Sequence, residues 1–175
     1  MKRMTEEQRA FIQRIQDAQG ILERICAVYT QDKESHKDLR QEMLLQLWKS
    51  YSSFRAQSSF STWMYRVALN TALMYRRKQK RHWPTVSIDD VDVPNAEGGA
   101  VADPEDVQLL YRCILEFPKL DRAIILMQLE QKSYQEIADV TGLSEGNVSV
   151  RLVRIKQKLR MLLEERGYKA EEHHG

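Results

Sequence analysis

The sequence predicts an all-α protein in which two small helical domains are joined by a flexible acidic linker. Apolar residues recur at helical spacing on both sides of the linker, and nothing there suggests β-structure. The segment 87–106 combines two prolines and two glycines with seven acids and no base, which is a linker composition. A chain of 175 residues can hold two small domains, which we place at 1–86 and 105–175, with the linker at 87–104.

The first domain is predicted to contain three or four helices. One runs from about Glu6 to Tyr29, a second from about His36 to Ser50 and a third from about Ser61 to Lys80. The periodicity gives the last two an inward face: Leu39, Met43, Leu44 and Leu47 in the second, and Trp63, Met64, Val67, Thr71 and Met74 in the third. The third helix ends in RRKQKRH, residues 76–82, whose five cations suit the negative end of a helix dipole.

The second domain is predicted to contain a helix-turn-helix. Two helices precede it, from about Glu105 to Glu116 and from about Lys119 to Glu130. In the following SYQEIADVTGLSEGNVSV, Ser133 is placed to cap a helix and Glu136 to complete a capping box. Gly142 permits the tight turn, and Ser144 then caps the second helix of the motif.

The helix after Ser144 has two different faces. Its core stripe consists of Val148, Leu152, Ile155, Leu159 and Leu162. Since the second helix of such a motif lies in the major groove, we expect Asn147 on the opposite face to pair with a base edge, and Val150 and Val153 to meet thymine methyl groups. The cations of this helix are expected to contact the DNA: Arg154 a base or a phosphate, and Arg151, Lys156 and Lys158 phosphates. The alternative is a basic amphipathic helix that is only solvated or that binds a partner helix.

Aromatic residues accompany the basic end of the third helix: Phe54, Phe60, Trp63, Tyr65, Tyr75 and Trp83. Rings beside cations suit single-stranded DNA, because unstacked bases need ring platforms and the backbone needs positive charge. Most of these rings must still be core, and Trp63 falls on the apolar stripe, so we assign it to the core first and to DNA second. The alternative for the cations is a charged face that only stays solvated.

No feature of the sequence predicts catalysis or a bound cofactor. Cys26 and Cys113 lie far apart without metal-ligand spacing, and there is neither a Gly-rich phosphate loop nor a nucleophile flanked by a plausible base. No apolar run approaches the roughly 20 residues that span a bilayer, and the N-terminus lacks the apolar core of a signal peptide. We therefore expect a cytoplasmic, non-enzymatic protein that inserts into no membrane and uses no cofactor or metal.

Two stretches resemble a known family. The first, DLRQEMLLQLWKSYSSFRAQSSFSTWMYRVALNTALMYRRKQKR, resembles conserved region 2 of bacterial sigma factors of the extracytoplasmic-function (ECF) group. The second, FPKLDRAIILMQLEQKSYQEIADVTGLSEGNVSVRLVRIKQKLR, resembles their region 4. The resemblance implies a promoter-specificity subunit that reads a −35 duplex with its second domain and captures a melted −10 strand with its first. It also implies three partners, namely core RNA polymerase, promoter DNA and an anti-sigma factor.

The resemblance assigns roles to individual positions of region 2. The surface that docks on the coiled coil of the polymerase β′ subunit would comprise Asp38, Gln41, Glu42, Leu45 and Trp48, and the polymerase β flap would be a further contact. The loop SSFRAQSSF would capture an unstacked −10 base, with Phe54, Arg55 and Asn70 nearest to it. Backbone phosphates at the melting edge would be held by Arg76, Arg77 and Lys80.

In region 4, the family's −35 contacts match Ser149, Val150 and Val153, with Arg151 and Arg154 as phosphate or base contacts. Many members carry Lys or Arg where this chain has Ser149, so the −35 preference of a typical member does not transfer. Housekeeping sigma factors have adjacent tryptophans where Arg66 and Val67 stand here, which implies weaker melting and stricter promoter choice. The acidic linker would thread the RNA exit path of the polymerase; the alternative is an inert tether.

Two other functions remain open at the level of sequence. A helix-turn-helix regulator would bind duplex DNA without polymerase, but such proteins usually dimerise and this chain shows no obvious coiled-coil or other dimer seam. A protein-interaction module would use both basic helices to bind an acidic partner. Affinity for DNA that is indifferent to sequence would support that third interpretation.

Overall fold

The structure, a computed structural model, describes residues 3–79 and 103–169, with side chains in the first range described as far as Tyr75. These residues form eight α-helices and no strand, which confirms the predicted all-α class. The chain divides into two compact units, Met1–Pro94 and Asn95–Gly175. Most of the predicted linker 87–104 lies outside the described residues, so the linker and the exact domain limits stay predictions.

The first unit contains four helices: α1 (Glu6–Asp17), α2 (Gln19–Tyr29), α3 (Lys33–Tyr51) and α4 (Phe60–Gln79). The helices α2, α3 and α4 pack against one another. Their fully buried side chains include Leu22, Ile25, Leu39, Met43, Leu47, Met64 and Tyr65. Helix α1 joins this core through Phe11, whose ring meets the rings of Trp48 and Tyr51 edge to face, each at a centroid distance of 5.1 Å.

The prediction of one continuous helix from Glu6 to Tyr29 is wrong, because the chain breaks at Ala18. There φ is −117° and ψ is 13°, and the Ala18 N–H donates to the Ile15 carbonyl at 3.2 Å in a tightened last turn. Gly20 follows two residues later, and glycine is about 1 kcal/mol less favourable than alanine inside a helix. The apolar spacing runs through the break without interruption, so periodicity alone gave no sign of it.

The predicted apolar stripe of α4 is wrong at its C-terminal end. Met74 is 60% exposed, whereas Ala68, Leu69 and Ala72 are buried. Met74 lies four residues after the exposed Asn70, and residues four apart share a helix face. Asn70 and Met74 therefore lie on a solvent-facing side of α4.

The second unit also contains four described helices: α5 (Pro104–Ile114), α6 (Lys119–Leu129), α7 (Tyr134–Thr141) and α8 (Glu145–Glu165). Helix α8 packs against α5, α6 and α7. The core of this unit includes Ile114, Phe117, Ile124, Leu126, Ile137, Val148, Leu152 and Ile155. Arg122 closes the turn between α5 and α6, because its guanidinium donates to the carbonyl oxygens of Leu115 and Phe117 at 2.7 and 2.8 Å.

The turn between α7 and α8 has the predicted local chemistry. The Ser133 hydroxyl accepts the Glu136 N–H at 3.1 Å while the Glu136 carboxylate accepts the Ser133 N–H at 2.8 Å, so the capping box is confirmed. Gly142 ends α7 with φ of 76°, a left-handed conformation that favours glycine. Ser144 then accepts the Asn147 N–H at 3.2 Å, which starts α8.

Candidate nucleic-acid interface

The N-terminal half of α8 presents an apolar pair to solvent on the side opposite its core. Val148 and Leu152 are buried at 0% and 2% exposure, whereas Val150 and Val153 are 52% and 56% exposed. Asn147 is exposed as well, and its backbone N–H is already committed to the helix cap. The side chain of Ser149 is half-buried beside this face. The two-faced helix predicted from the sequence is therefore present.

The cations of α8 that are predicted to contact phosphates differ in whether their side chains already have a partner within their own unit. Arg154 is exposed and forms no ion pair or hydrogen bond through its side chain within residues 103–169. Arg151 instead donates to the Asp121 carboxylate of α6 at 2.6 Å, and the Asp121 side chain is only 16% exposed. Lys158 lies over the Phe117 ring, with Nζ 5.0 Å from the centroid. Two of these cations thus tie α8 to its own unit, which the sequence did not predict.

An aromatic cluster forms where α3 leads through a loop into α4. The Phe54 ring lies 5.7 Å from Phe60 and 5.2 Å from Trp63, and Tyr51 lies 6.4 Å from Trp63. Trp63 is only 8% exposed, so in this structure it is a core residue. Phe54 is half-buried at the edge of the cluster. Phe54 is therefore more accessible than Trp63 in this cluster.

The loop itself, residues 52–59, holds an unusual backbone conformation next to Phe54. Ala56 has φ of 53°, a left-handed conformation that costs roughly 1–2 kcal/mol for a residue with a Cβ. Such strain is often found at binding sites. Arg55 is exposed beside it. Asn70 is exposed too, but it lies two turns after Trp63 along α4, about 10.5 Å along the helix axis.

One residue of this site was missed by the sequence reasoning. The guanidinium carbon of Arg14, on α1, lies 5.7 Å from the Phe54 ring centroid and 5.3 Å from that of Phe60. No spacing in the sequence connects Arg14 with the loop, because the contact depends on how α1 folds back.

The other cations predicted at this site cannot be placed: the side chains of Arg76 and Arg77 and the whole of Lys80 lie outside the described residues.

The predicted docking residues lie on one face of α3. Along the chain they are separated by three, one, three and three residues, which keeps them on one side of the helix. Asp38 and Gln41 are exposed, Glu42 is half-buried, and Leu45 and Trp48 are 45% and 38% exposed. The Glu42 carboxylate accepts a hydrogen bond from Gln46 at 2.9 Å. Trp48 is held by Phe11 and stacks on Tyr51 at 6.5 Å. A rigid aromatic ring beside acids and an exposed leucine suits contact with another helix.

A charged network joins α2 to α3. Glu23 accepts hydrogen bonds from His36 Nε2 at 2.8 Å and from Arg40 Nε at 2.6 Å. Burial alone would raise the pKa of Glu23, but the hydrogen bonds from His36 and Arg40 outweigh burial and lower the pKa.

Within residues 3–79 and 103–169, no helix is long and apolar enough to cross a membrane.

Family comparisons match both units. The family model of Sigma-70 region 2 matches residues 15–82, and that of Sigma-70 region 4 matches residues 107–159. The ECF RNA polymerase sigma-E factor of Escherichia coli (strain K12) is 33% identical over 134 residues, which cover 70% of each chain. The protein of the same name from Haemophilus influenzae is 34% identical over 134 residues, which cover 70% of this chain and 71% of its own.

Two solved structures share the fold. The sigma factor RpoE from Bartonella quintana, in complex with the anti-sigma factor NepR, superposes with a TM-score of 0.69 at 22% identity, over 89% of this chain and 97% of its own. CnrH, in complex with the cytosolic domain of CnrY, superposes with a TM-score of 0.65 at 21% identity, over 90% of each chain. At such identities the likeness concerns the fold alone.

Proposed function

Since this chain belongs to the ECF RNA polymerase sigma factors, we propose that it acts as a promoter-specificity subunit and catalyses no reaction itself. It binds core RNA polymerase through α3, reads the −35 element as a duplex through α8, and captures a base of the melted −10 strand beside Phe54. The observation that carries this proposal is the exposed pair Val150 and Val153 on the second helix of a helix-turn-helix, in a chain that also carries region 2.

The arrangement of α8 supports duplex reading. The N-terminal residues of such a helix meet base edges in the major groove. Val150 and Val153 are apolar and exposed, so burying them against thymine methyl groups removes apolar surface from water. Arg154 has free donors for a phosphate or a base on the same side. Because the Ser149 side chain is short and half-buried, the −35 specificity at this part of α8 comes from the residues beside Ser149.

The aromatic cluster supports capture of an unstacked base. Taking a base out of the stack costs a few kcal/mol, and stacking it on an aromatic ring returns about 1–3 kcal/mol. Phe54 is half-buried: its ring contacts Phe60 and Trp63, and part of the residue remains exposed to solvent. Arg55 adds an exposed cation beside that ring. The loop thus combines a ring platform with positive charge.

The exposed face of α3 supports polymerase docking. Gln41 and Leu45 are exposed, and Trp48 is held in place by Phe11. We extend the interaction to the polymerase β′ coiled coil and the β flap on the strength of family membership. The solved relatives RpoE and CnrH were bound to NepR and to the cytosolic domain of CnrY, so we also propose that an anti-sigma factor regulates this chain.

The test is capture of bacterial core RNA polymerase by the purified chain, followed by transcription from a pool of genomic fragments. Stoichiometric capture and start sites that share upstream −35 and −10 elements would support the proposal. Failure to capture polymerase, with sequence-specific duplex binding intact, would instead identify a polymerase-independent helix-turn-helix regulator. DNA binding that is indifferent to sequence, without capture, would favour a protein-interaction module.

A pair of charge reversals locates the docking surface. Glu42→Lys reverses a charge on the α3 face and is expected to abolish polymerase capture, because like charges across an interface oppose association. Asp17→Lys makes the same reversal at the exposed end of α1, outside the proposed surface, and is expected to leave capture intact. Circular dichroism establishes that both variants are folded. Capture by the Glu42→Lys variant would remove α3 from the docking surface.

A further inference from the structure

Arg14 reaches the loop of the −10 site from α1, most of which precedes the region 2 match. The family model begins at residue 15, so Arg14 lies just outside it. Its guanidinium carbon lies 5.3 Å from the ring centroid of Phe60 and 5.7 Å from that of Phe54. These two rings meet edge to face with an interplanar angle of 84°. A single cation therefore contacts two members of the aromatic cluster at once.

The hydrogen-bond donors of Arg14 have no acceptor in the described part of its unit. The side chain is exposed, and within residues 3–79 it forms neither an ion pair nor a hydrogen bond. Arg40, by contrast, is paired with Glu23 at 2.6 Å. A cation–π contact engages the guanidinium next to a ring and leaves N–H donors for another partner. The rings thus hold the cation in place while its donors face solvent.

We propose that Arg14 binds a backbone phosphate of the single-stranded −10 element, next to the base captured beside Phe54. The proposal rests on the proposed function, because it presupposes −10 capture at this loop. Single-stranded DNA is bound where an aromatic ring that stacks a base lies beside a cation that contacts the backbone. Arg14 is placed as such a cation, because its guanidinium lies next to the rings of Phe54 and Phe60. Guanidinium binds phosphate through paired charge-assisted hydrogen bonds. Arg14 then acts on affinity for the strand and leaves the choice of base to the loop.

The test uses the complex of the full chain with core RNA polymerase. The probes are two forms of one promoter recovered from the genomic-fragment pool: a fork with a double-stranded −35 element and a single-stranded −10 element, and the same −35 duplex ending before the −10 element. Affinity is measured over a series of salt concentrations. Arg14→Gln is expected to weaken fork binding about tenfold, the loss of one charge-assisted hydrogen bond. The slope of log affinity against log salt should fall by about 0.7, the value for one phosphate of a single strand.

Two further variants separate the phosphate contact from a general effect of charge. Arg14→Lys keeps the charge and is expected to restore the salt slope while recovering affinity only in part, because an ammonium group lacks the planar fork. Arg9→Gln removes an exposed cation from the same helix, about 140° around it from Arg14, and is expected to leave fork binding unchanged. The midpoint of unfolding followed by tryptophan fluorescence shows that each variant keeps a folded first unit.

Three results would overturn the proposal. One is an Arg14→Gln variant with unchanged affinity and slope, another is an equal loss on the probe that lacks the −10 element, and the third is the same loss in Arg9→Gln. A wild-type complex that forms but shows no dependence on the −10 sequence would refute the proposed function itself, and this proposal with it. A wild-type complex that discriminates −10 sequences, together with an Arg14→Gln variant that matches it, refutes the role of Arg14 alone.

Discussion

Replacing Arg151 by alanine is expected to destabilise the second unit more than it changes the salt dependence of DNA binding. Arg151 lies on the proposed recognition helix, where the family resemblance implies a phosphate or base contact. In the structure its guanidinium is already bonded to Asp121 at 2.6 Å, which ties α8 to α6. The exposed Arg154 has no such partner in the described part of its unit. Replacing Arg151 and Arg154 in turn therefore distinguishes a structural role in α8 from a contact with DNA.

The size of the effect follows from the burial of the pair. The Arg151 side chain is 41% exposed and that of Asp121 is 16% exposed. An exposed ion pair contributes about 0.2–1 kcal/mol, whereas leaving a largely buried acceptor unpaired costs about 1–3 kcal/mol. We therefore expect Arg151→Ala to lower the free energy of unfolding by about 1–2 kcal/mol. In a unit of this size, each kcal/mol shifts the midpoint of thermal unfolding by about 4–8 °C.

The distribution of tryptophan makes the assay specific to one unit. The three tryptophans are Trp48, Trp63 and Trp83, all in the first unit. Tryptophan fluorescence thus follows the first unit alone, whereas far-ultraviolet circular dichroism follows helices in both. Arg151→Ala should lower the circular-dichroism midpoint and leave the fluorescence midpoint unchanged. The double replacement of Arg151 and Asp121 should lose less than the sum of the single ones, because paired residues couple.

DNA binding supplies the second half of the comparison. Arg154→Ala should keep the circular-dichroism midpoint and reduce the salt slope of duplex binding by about one, as expected for one phosphate contact. Arg151→Ala should reduce the slope by clearly less. The reasoning fails if Arg151→Ala has the stability of the wild type, since the bond to Asp121 would then contribute nothing. It fails equally if both arginines change the slope by the same amount, because Arg151 would then leave Asp121 for the DNA.

Two further predictions concern the reading face and the response to acid. Replacing Val150 and Val153 by alanine should reduce discrimination between correct and altered −35 sequences more than affinity for unrelated DNA, and an equal loss on both, in competition binding, would contradict the assigned face. Glu23 has a lowered pKa in the folded chain, so its contribution to stability is complete above its usual value of 4.5 and is lost as pH falls through the lowered value. Below pH 4.5 the tryptophan-monitored stability of the wild type should therefore fall more steeply than that of Glu23→Gln, and parallel curves would exclude Glu23 as the source.

Local features of the fold were predictable from the sequence, and contacts between distant segments were not. The capping box of Ser133 and the left-handed Gly142 depend on hydrogen bonds between residues a few positions apart, so residue type and spacing predict them. The break at Ala18 was missed because the apolar spacing on either side remains in phase. The same holds for side-chain contacts between helices: Arg151 meets Asp121 thirty residues away, and no periodic pattern records that pair.

The candidate site shows the same division. The exposure of Val150 and Val153 follows from a helical pattern that is visible in the sequence. The contact of Arg14 with Phe54 depends on the path of α1, which no short-range pattern specifies. Trp63 was expected to be core first, and its 8% exposure agrees with that assignment. Sequence patterns therefore located the proposed site, whereas the structure identified the residues that contact it from distant parts of the chain.

The side chains that anchor α8 in its unit are different from the side chains that α8 exposes to solvent. Arg151 and Lys158 anchor the helix through Asp121 and Phe117, whereas Val150 and Val153 are more than half exposed. Surface substitutions away from such anchors usually change stability by less than about 0.5 kcal/mol. The outward positions can then vary in evolution, or be exchanged by design, without unfolding the protein. Under the proposed function, a lineage would acquire new promoters through a few codons of α8, and a library restricted to those codons should yield regulators that do not cross-activate.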